Sequence, residues 1–182
     1  MRNFIKTSLA LFIGLGTVAL STNALAFERQ WHLGAGASYS PYINPAGVTL
    51  HGFGGGVQLV YGISDTINAL AMADLSVHPA TTHKGKPVDG ILLAGGSLGL
   101  SYVFDILQWV PWVGATAGAY YALDPVSPGG RLALGIPFGL DYQVSRSFAV
   151  GAAGEYKLFF LDPLGAGQRF SVTLRAEYIW GY

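Results

Sequence analysis

Cysteine is absent from the chain. That removes both a disulfide framework and a lipid-modified N-terminal cysteine. Charge is scarce as well: 11% of residues are Asp, Glu, Lys or Arg, where a soluble domain usually carries ~25%. Basic excess is missing too, which leaves no electrostatic footprint for nucleic acid and no polybasic patch for a membrane surface. After residue 26 there is also no apolar run of the ~20 residues that a spanning helix needs. Yet 51% of the residues are hydrophobic. Apolar content without a long apolar run has to be spread by alternation.

The front of the chain is the exception. Arg2 and Lys6 precede the thirteen-residue run "SLALFIGLGTVAL", and "STNALA" closes on Ala24-Leu25-Ala26. This is the layout of a cleaved secretory signal peptide over residues 1–26, too short in its apolar part for a spanning anchor. The mature chain, 27–182, is then a single domain beginning at Phe27. Arg2 and Lys6 leave with the signal, so eight basic residues face ten acidic ones and the mature net charge is −2.

Eight segments of the mature chain alternate with period two, the mark of strands whose two faces meet different surroundings. The last is the clearest: Phe170, Val172, Leu174, Ala176, Tyr178, Trp180 and Tyr182 share one face, against Ser171, Thr173, Arg175, Glu177, Ile179 and Gly181 on the other. Similar apolar faces start at Trp31, Phe53, Ile67, Leu92, Val113, Leu132 and Phe148, and none of their positions is charged. Connections alternate in length. Ile63–Thr66, Asp105–Trp109 and Gln143–Ser147 are short, whereas "SPYINPAGVTLHG", "HPATTHKGKPVDG", "DPVSPGG" and "LDPLGAGQR" are longer and rich in Gly and Pro. Tyr61, Tyr102, Tyr142 and Tyr182 recur once per pair of strands.

Short turns at one end and long loops at the other describe an all-β, eight-stranded, antiparallel up-and-down transmembrane barrel. The apolar faces carry the matching signature. Trp31, Tyr61, Tyr102, Phe104, Tyr142, Phe148, Trp180 and Tyr182 gather near the short turns, and Tyr39, Phe53, Tyr121, Phe160 and Phe170 near the long loops. Between these two aromatic girdles stand Ala, Leu, Val and Gly. From Phe53 to Tyr61 the strand covers about 20 Å at ~3.3 Å rise and ~40° tilt, close to the ~25 Å apolar band of such barrels. In a soluble sandwich or lipocalin-like barrel these faces would point inward and the opposite faces would be hydrophilic. Here the opposite faces are mostly Gly, Ser, Thr and Ala.

From Trp31 to Tyr182 the pattern resembles the small eight-stranded outer-membrane barrels of Gram-negative bacteria, the group that includes the OmpA and OmpX types. The resemblance implies residence in the bacterial outer membrane with the four longer loops outside, contact with outer-membrane lipid and lipopolysaccharide, and a monomer delivered by periplasmic chaperones to the outer-membrane assembly machinery. Such proteins commonly end on alternate hydrophobic residues closing on an aromatic. Tyr178, Trp180 and Tyr182 are the corresponding assembly signal here, with Glu177 standing where Gly is common. No cofactor is implied.

The lumen is where chemistry could reside. Asp74, Asp105, Asp141, Glu155, Lys157, Arg175 and Glu177 fall on inward positions, with Arg131 near a rim. Asp74, Asp141, Glu155, Lys157, Arg175 and Glu177 form the candidate ion network. Counting outward from the middle of the last loop predicts Glu155 beside Arg175. Such charges serve either as mutual partners against desolvation or as a proton or ion path. Inward glycines, Gly34, Gly36, Gly54, Gly56, Gly95, Gly99, Gly135, Gly139 and Gly151, leave space: either Leu70, Met72, Leu93, Tyr120 and Phe159 fill it and the interior is plugged, or a small cavity remains that could admit an acyl chain.

"DLSVH" puts Asp74, Ser76 and His78 on one face, the residue types of a hydrolytic triad. At i and i+2 of one strand, roughly 6.5–7 Å apart, direct Ser-to-His contact is expected to be strained. His51, His78 and His83 form a loose metal-site candidate without tight ligand spacing. Pro137, inside a strand, predicts a bulge or irregular pairing. Two functional classes follow. One is a non-enzymatic, porin-like outer-membrane protein with a structural, surface-interaction or limited solute-passage role. The other is an outer-leaflet enzyme modifying lipid A or phospholipid.

Overall fold

The computed structural model describes residues 29–104, 108–123, 128–160 and 167–181. Residues 1–28, Asp105 and Tyr182 lie outside them, and with them the signal peptide, one inward charge and the last aromatic of the assembly signal. Eight long strands follow one another: β1 Trp31–Tyr39, β2 Phe53–Gly62, β3 Ile67–His78, β4 Ile91–Val103, β5 Trp109–Leu123, β6 Gly129–Ser145, β7 Phe148–Phe160 and β8 Gly167–Trp180. Each pairs antiparallel with the next, and β1 pairs with β8 from Trp31↔Trp180 to Tyr39↔Val172, which closes the sheet. Closure leaves no free long edge, so the ladders satisfy the backbone of the wall internally.

The strand faces separate as the alternation requires. Along β1, Trp31, Leu33, Ala35, Ala37 and Tyr39 are exposed while His32 and Gly34 are buried. Leu98 on β4 is 69% exposed beside Ser97 at 4%. Leu134 is exposed and Gly135 buried on β6. The protein therefore turns its large hydrophobic side chains outward all round the wall and its polar groups inward. Contiguous apolar surface on this scale is not tolerated in water. Among the described residues both rows of aromatics stand where the sequence puts them, with Trp31 against Tyr61 at 4.6 Å, Tyr102 against Phe104 at 4.9 Å and Trp109 against Tyr142 at 4.9 Å at the turn end.

Three details refine or correct the sequence reading. Ile136 and Pro137 make no ladder pair with β5, but the register on either side of them is unchanged, so of the two expectations at Pro137 the irregular pairing holds and the bulge does not. The register shift of β6 falls instead between Gln143 and Ser145. Two long loops carry strands of their own. Tyr42–Ile43 pairs with Thr49–Leu50 and with Gln168 and Arg169 at the start of β8. Thr81–His83 pairs with Lys86–Val88 as a projecting hairpin. Its two-residue turn has positive φ at Lys84 (51°) and Gly85 (77°), the combination that matches strand twist in a tight hairpin and that glycine adopts without strain.

The third difference is register. Glu155 lies opposite Ser171, and Arg175 opposite Gly151. Glu155 and Arg175 are therefore not side by side. Gly167, Gln168 and Arg169, counted as loop in the sequence, belong to β8 and move its pairing by four residues.

Candidate functional site

The inward side chains sort into layers along the lumen. In the half nearer the long loops, Lys157 from β7 is 1% exposed. Its Nζ lies 2.8 Å from Glu155 Oε2 and 3.1 Å from Asp74 Oδ2. Arg169 Nη1 is 2.6 Å from Asp74 Oδ1. Tyr120 donates its hydroxyl to Asp74 Oδ2 at 2.5 Å and accepts from Lys157. Thr116 donates to Glu155 at 3.4 Å. Two carboxylates and two cations balance within this layer. Removing four charges from water is offset only when each has a partner of opposite sign and its remaining hydrogen bonds are made. Arg169, read as loop in the sequence, supplies the second cation.

The half nearer the short turns holds a second layer. Arg175 grips both oxygens of Asp141, with Nε to Oδ1 at 3.0 Å and Nη2 to Oδ2. Its guanidinium sits 4.5 Å over the ring of Trp112, whose Nε1 donates to Asp141 Oδ2 at 2.8 Å. Gly139 makes this possible, because a Cβ there would fall 2.7 Å from the Trp112 ring. Glu177 accepts from Gln58, lies 3.1 Å from Arg175 Nη2, and faces His32 Nδ1 at 3.2 Å. Gln58 in turn accepts from Arg175 Nη1 at 2.6 Å. His32 and Gln58 were absent from the sequence-based network. Both occupy inward positions of their strands, which is the one local signal that marks them.

Above the first layer a hydrophobic cluster closes the loop end. Tyr42, Leu50, Ile91, Leu93, Tyr120, Ala122, Ala133 and Phe159 are all buried there. Leu70, Leu93, Tyr120 and Phe159 fill the lumen as expected, while Met72 is only partly buried. Tyr42, swung over the mouth from the first long loop, was not foreseen. Arg131 is drawn in beneath it and donates to its hydroxyl at 2.7 Å. Among the described residues the lumen retains unfilled space, including two cavities. One of about 60 Å³ touches Asp74, Glu155 and Arg169 on one side and Gln58, Trp112 and Arg175 on the other. The other, about 40 Å³, lies toward the short turns and is lined by His32, Asn68, Asp141, Arg175 and Glu177, among others.

Ser76 Oγ and His78 Nε2 are 3.1 Å apart, so the contact expected to be strained is made. The spacing rule measures backbone, and the longer imidazole leans back to the short hydroxyl. Arg169 donates to Ser76 Oγ at 3.3 Å, and His78 Nδ1 lies 3.4 Å from the Leu50 carbonyl oxygen. Asp74, however, is bound to Arg169, Lys157 and Tyr120, so the three residues do not form a triad. Ser76 and His78 are 2% and 1% exposed and line neither cavity. Nor do the histidines converge. His51 bonds Tyr39 at 2.5 Å, His83 is exposed on the hairpin, and among the described residues no three His, Asp or Glu side chains are arranged to hold a metal.

No protein-family model and no curated protein matches the chain. Solved structures do. Neisserial surface protein A aligns at 18% identity and TM-score 0.61 over 84% of this chain and 97% of its own. OprG from Pseudomonas aeruginosa aligns at 12% and 0.61 over 85% and 97%. Ail, the attachment invasion locus protein of Yersinia pestis, solved in complex with the heparin analogue sucrose octasulfate, aligns at 16% and 0.56 over 84% and 99%. At these identities the likeness is one of fold: the chain has the closed eight-stranded architecture of small outer-membrane barrels.

Proposed function

We propose that this chain is an integral outer-membrane protein that acts through its outer wall and its long loops, in envelope structure and surface interaction, rather than as an open pore. The observation that carries the reading is the inverted distribution of polarity. A wall of exposed aliphatic residues runs between two aromatic rows, around a lumen crossed by two charged layers and a hydrophobic cap. Such a wall is stable only against lipid. Paired charged side chains in two layers and a buried hydrophobic cluster toward the loop end support a largely filled interior.

Export by the segment 1–26, outward orientation of the long loops, and recognition of Tyr178, Trp180 and Tyr182 by the assembly machinery belong to the same reading. The loops would offer the hairpin Thr81–His83 and Lys86–Val88 to a partner, with His83, Lys84 and Lys86 at its exposed tip. A surface-interaction role draws support from the attachment protein among its structural neighbours. Among the described residues the Ser76–His78 contact is the feature that favours a lipid-modifying enzyme, and its burial and the commitment of Asp74 elsewhere count against it.

The test uses the absence of native cysteine. A cysteine at Gly85 should be labelled on intact cells by an impermeant thiol reagent, and one at Ser145 should not. The reverse pattern overturns the orientation. A wild-type chain that folds as a monomer in plain buffer, without lipid or detergent, overturns the membrane assignment.

A further inference from the structure

The first long loop, 40–52, folds inward, and both of its legs rest on one imidazole. On the incoming leg the Tyr42 ring lies 5.8 Å from the ring of His78. On the outgoing leg the Leu50 carbonyl oxygen is 3.4 Å from His78 Nδ1, and a Cβ added at Gly52 would fall 2.3 Å from the same nitrogen. At Gly52 the loop backbone therefore lies directly against the ring. The loop is also tied by two-residue ladders, Tyr42–Ile43 with Thr49–Leu50 and with Gln168 and Arg169, and by Arg131 donating to the Tyr42 hydroxyl.

The partners of His78 fix where its proton sits. A carbonyl oxygen only accepts, so Nδ1 carries the hydrogen, and in the neutral ring Nε2 is bare. Ser76 fills that position by donating its hydroxyl across 3.1 Å, while Arg169, which only donates, approaches Ser76 Oγ at 3.3 Å. A second proton on the ring would make Ser76 Oγ accept from two cations and turn its own hydrogen away. Among the described residues the charged and titratable side chains facing the ring are Arg169 of β8, through Ser76, and Tyr42 of the loop, held by Arg131 of β6. Asp74, two residues back on β3, is taken up by Arg169, Lys157 and Tyr120. His78 is buried, so a positive charge there is cut off from bulk water and meets no carboxylate of its own.

We propose that the first long loop is a lid over the mouth of the lumen, latched at neutral pH by His78 and released when acid protonates that imidazole. The charged ring is accommodated in an open form, where it reaches water and where Tyr42 and Leu50 leave the cluster they share with Ala122, Ala133 and Phe159. Closure keeps its full strength above the ordinary imidazole pKa of about 6.5 and weakens as the pH falls below it, because the open form is the one that takes up the proton. The proposal needs only the closed barrel and stands apart from the membrane assignment.

The experiment places a single cysteine beneath the lid, Ala133→Cys, in the detergent-solubilised full barrel and follows its labelling by a charged maleimide at pH 7.5 and pH 5. Thr82→Cys, on the exposed hairpin, is labelled in parallel, and the ratio of the two rates cancels the pH dependence of the thiol itself. That ratio should rise about 30-fold from pH 7.5 to pH 5, the extent to which an imidazole of pKa ~6.5 favours the open form. In His78→Gln, which keeps a donor and an acceptor but does not titrate, the ratio should be the same at both pH values. Gly52→Ala, which pushes the loop off the ring, should give the high ratio already at pH 7.5, and it keeps the test open should the His78 variant not fold. An unchanged ratio in the otherwise native chain overturns the proposal. So does a rise that survives His78→Gln, or a Gly52→Ala barrel as protected at pH 7.5 as one with glycine there.

Discussion

Leu98→Arg and Phe53→Arg form a matched pair, because the two residues are 69% and 67% exposed. If water surrounded the wall, each change would replace an exposed hydrophobe with a charge and alter stability by no more than about 0.5 kcal/mol. In a bilayer the two differ by depth. Leu98 is four residues from Tyr102 in the turn-side aromatic row and six from Leu92 at the loop end of β4, about 10 Å and 15 Å along the barrel axis at ~3.3 Å rise and ~40° tilt. That is mid-height in a ~25 Å band, where an Arg on the lipid face costs roughly 2–4 kcal/mol, falling to about 0–1 near either interface. Phe53 belongs to the loop-side row. Reversible folding into lipid vesicles, followed by urea titration, should show Leu98→Arg losing roughly 30- to 1,000-fold in folding equilibrium constant while Phe53→Arg loses much less. Ser97→Arg, one residue away but facing the lumen, separates crowding inside from desolvation outside. Equal losses for Leu98 and Phe53 would refute the bilayer account of the wall.

Three further outcomes are expected. Arg175→Met should destabilise the barrel by about 3–5 kcal/mol in the same titration, since it strands Asp141 and Glu177 without a cation, and adding Asp141→Asn should recover much of the loss; a loss below about 1 kcal/mol would mean that the layer is hydrated rather than paired. Phe159→Ala removes a fully buried ring from the cap, packed against Tyr42 and Tyr120, and should cost about 3–5 kcal/mol, whereas an unchanged urea midpoint would remove the cap from the folded core. Deleting Tyr182 should lower the amount of folded protein in the outer membrane while export across the inner membrane continues, and normal assembly of the shortened chain would dispose of the proposed signal.

The wall was legible in the sequence because one property decides it at every second residue. Leu98, Leu134, Phe53 and Tyr102 face outward in the barrel as their alternation requires, since a slip of one residue would turn a whole strand's apolar set into the lumen. Loop lengths, likewise local, separate a short-turn end from a long-loop end. Reading failed where the answer depends on where a strand begins. Gly167, Gln168 and Arg169 have the composition of a loop, yet Tyr42–Ile43 offers Gln168 and Arg169 a backbone ladder. That partner is more than a hundred residues away, and no window around residue 167 contains it. The misplaced strand start then moved Arg175 away from Asp141 and beside Glu155 in the expected network, and hid Arg169 as a partner of Asp74.

The lumen obeys a different rule from the wall. Outward residues need only be apolar, so each contributes nearly independently and errors do not propagate. Inward residues must find a particular atom across the barrel: Gln58 meets Glu177, 119 positions on, and His32 meets the same carboxylate from 145 positions away. Which inward charges are present can be counted from the alternation. Which charge holds which cannot, because shear between strands sets the height of every side chain, and shear is a property of the closed sheet. The consequence is physical. A substitution on the wall should act through its own depth in the bilayer, additively with its neighbours. One in the lumen should act through its partners, so Arg175→Met and Asp141→Asn together should cost less than the sum of the two alone. Additivity at that pair would mean that the contacts joining the layer carry no energy of their own.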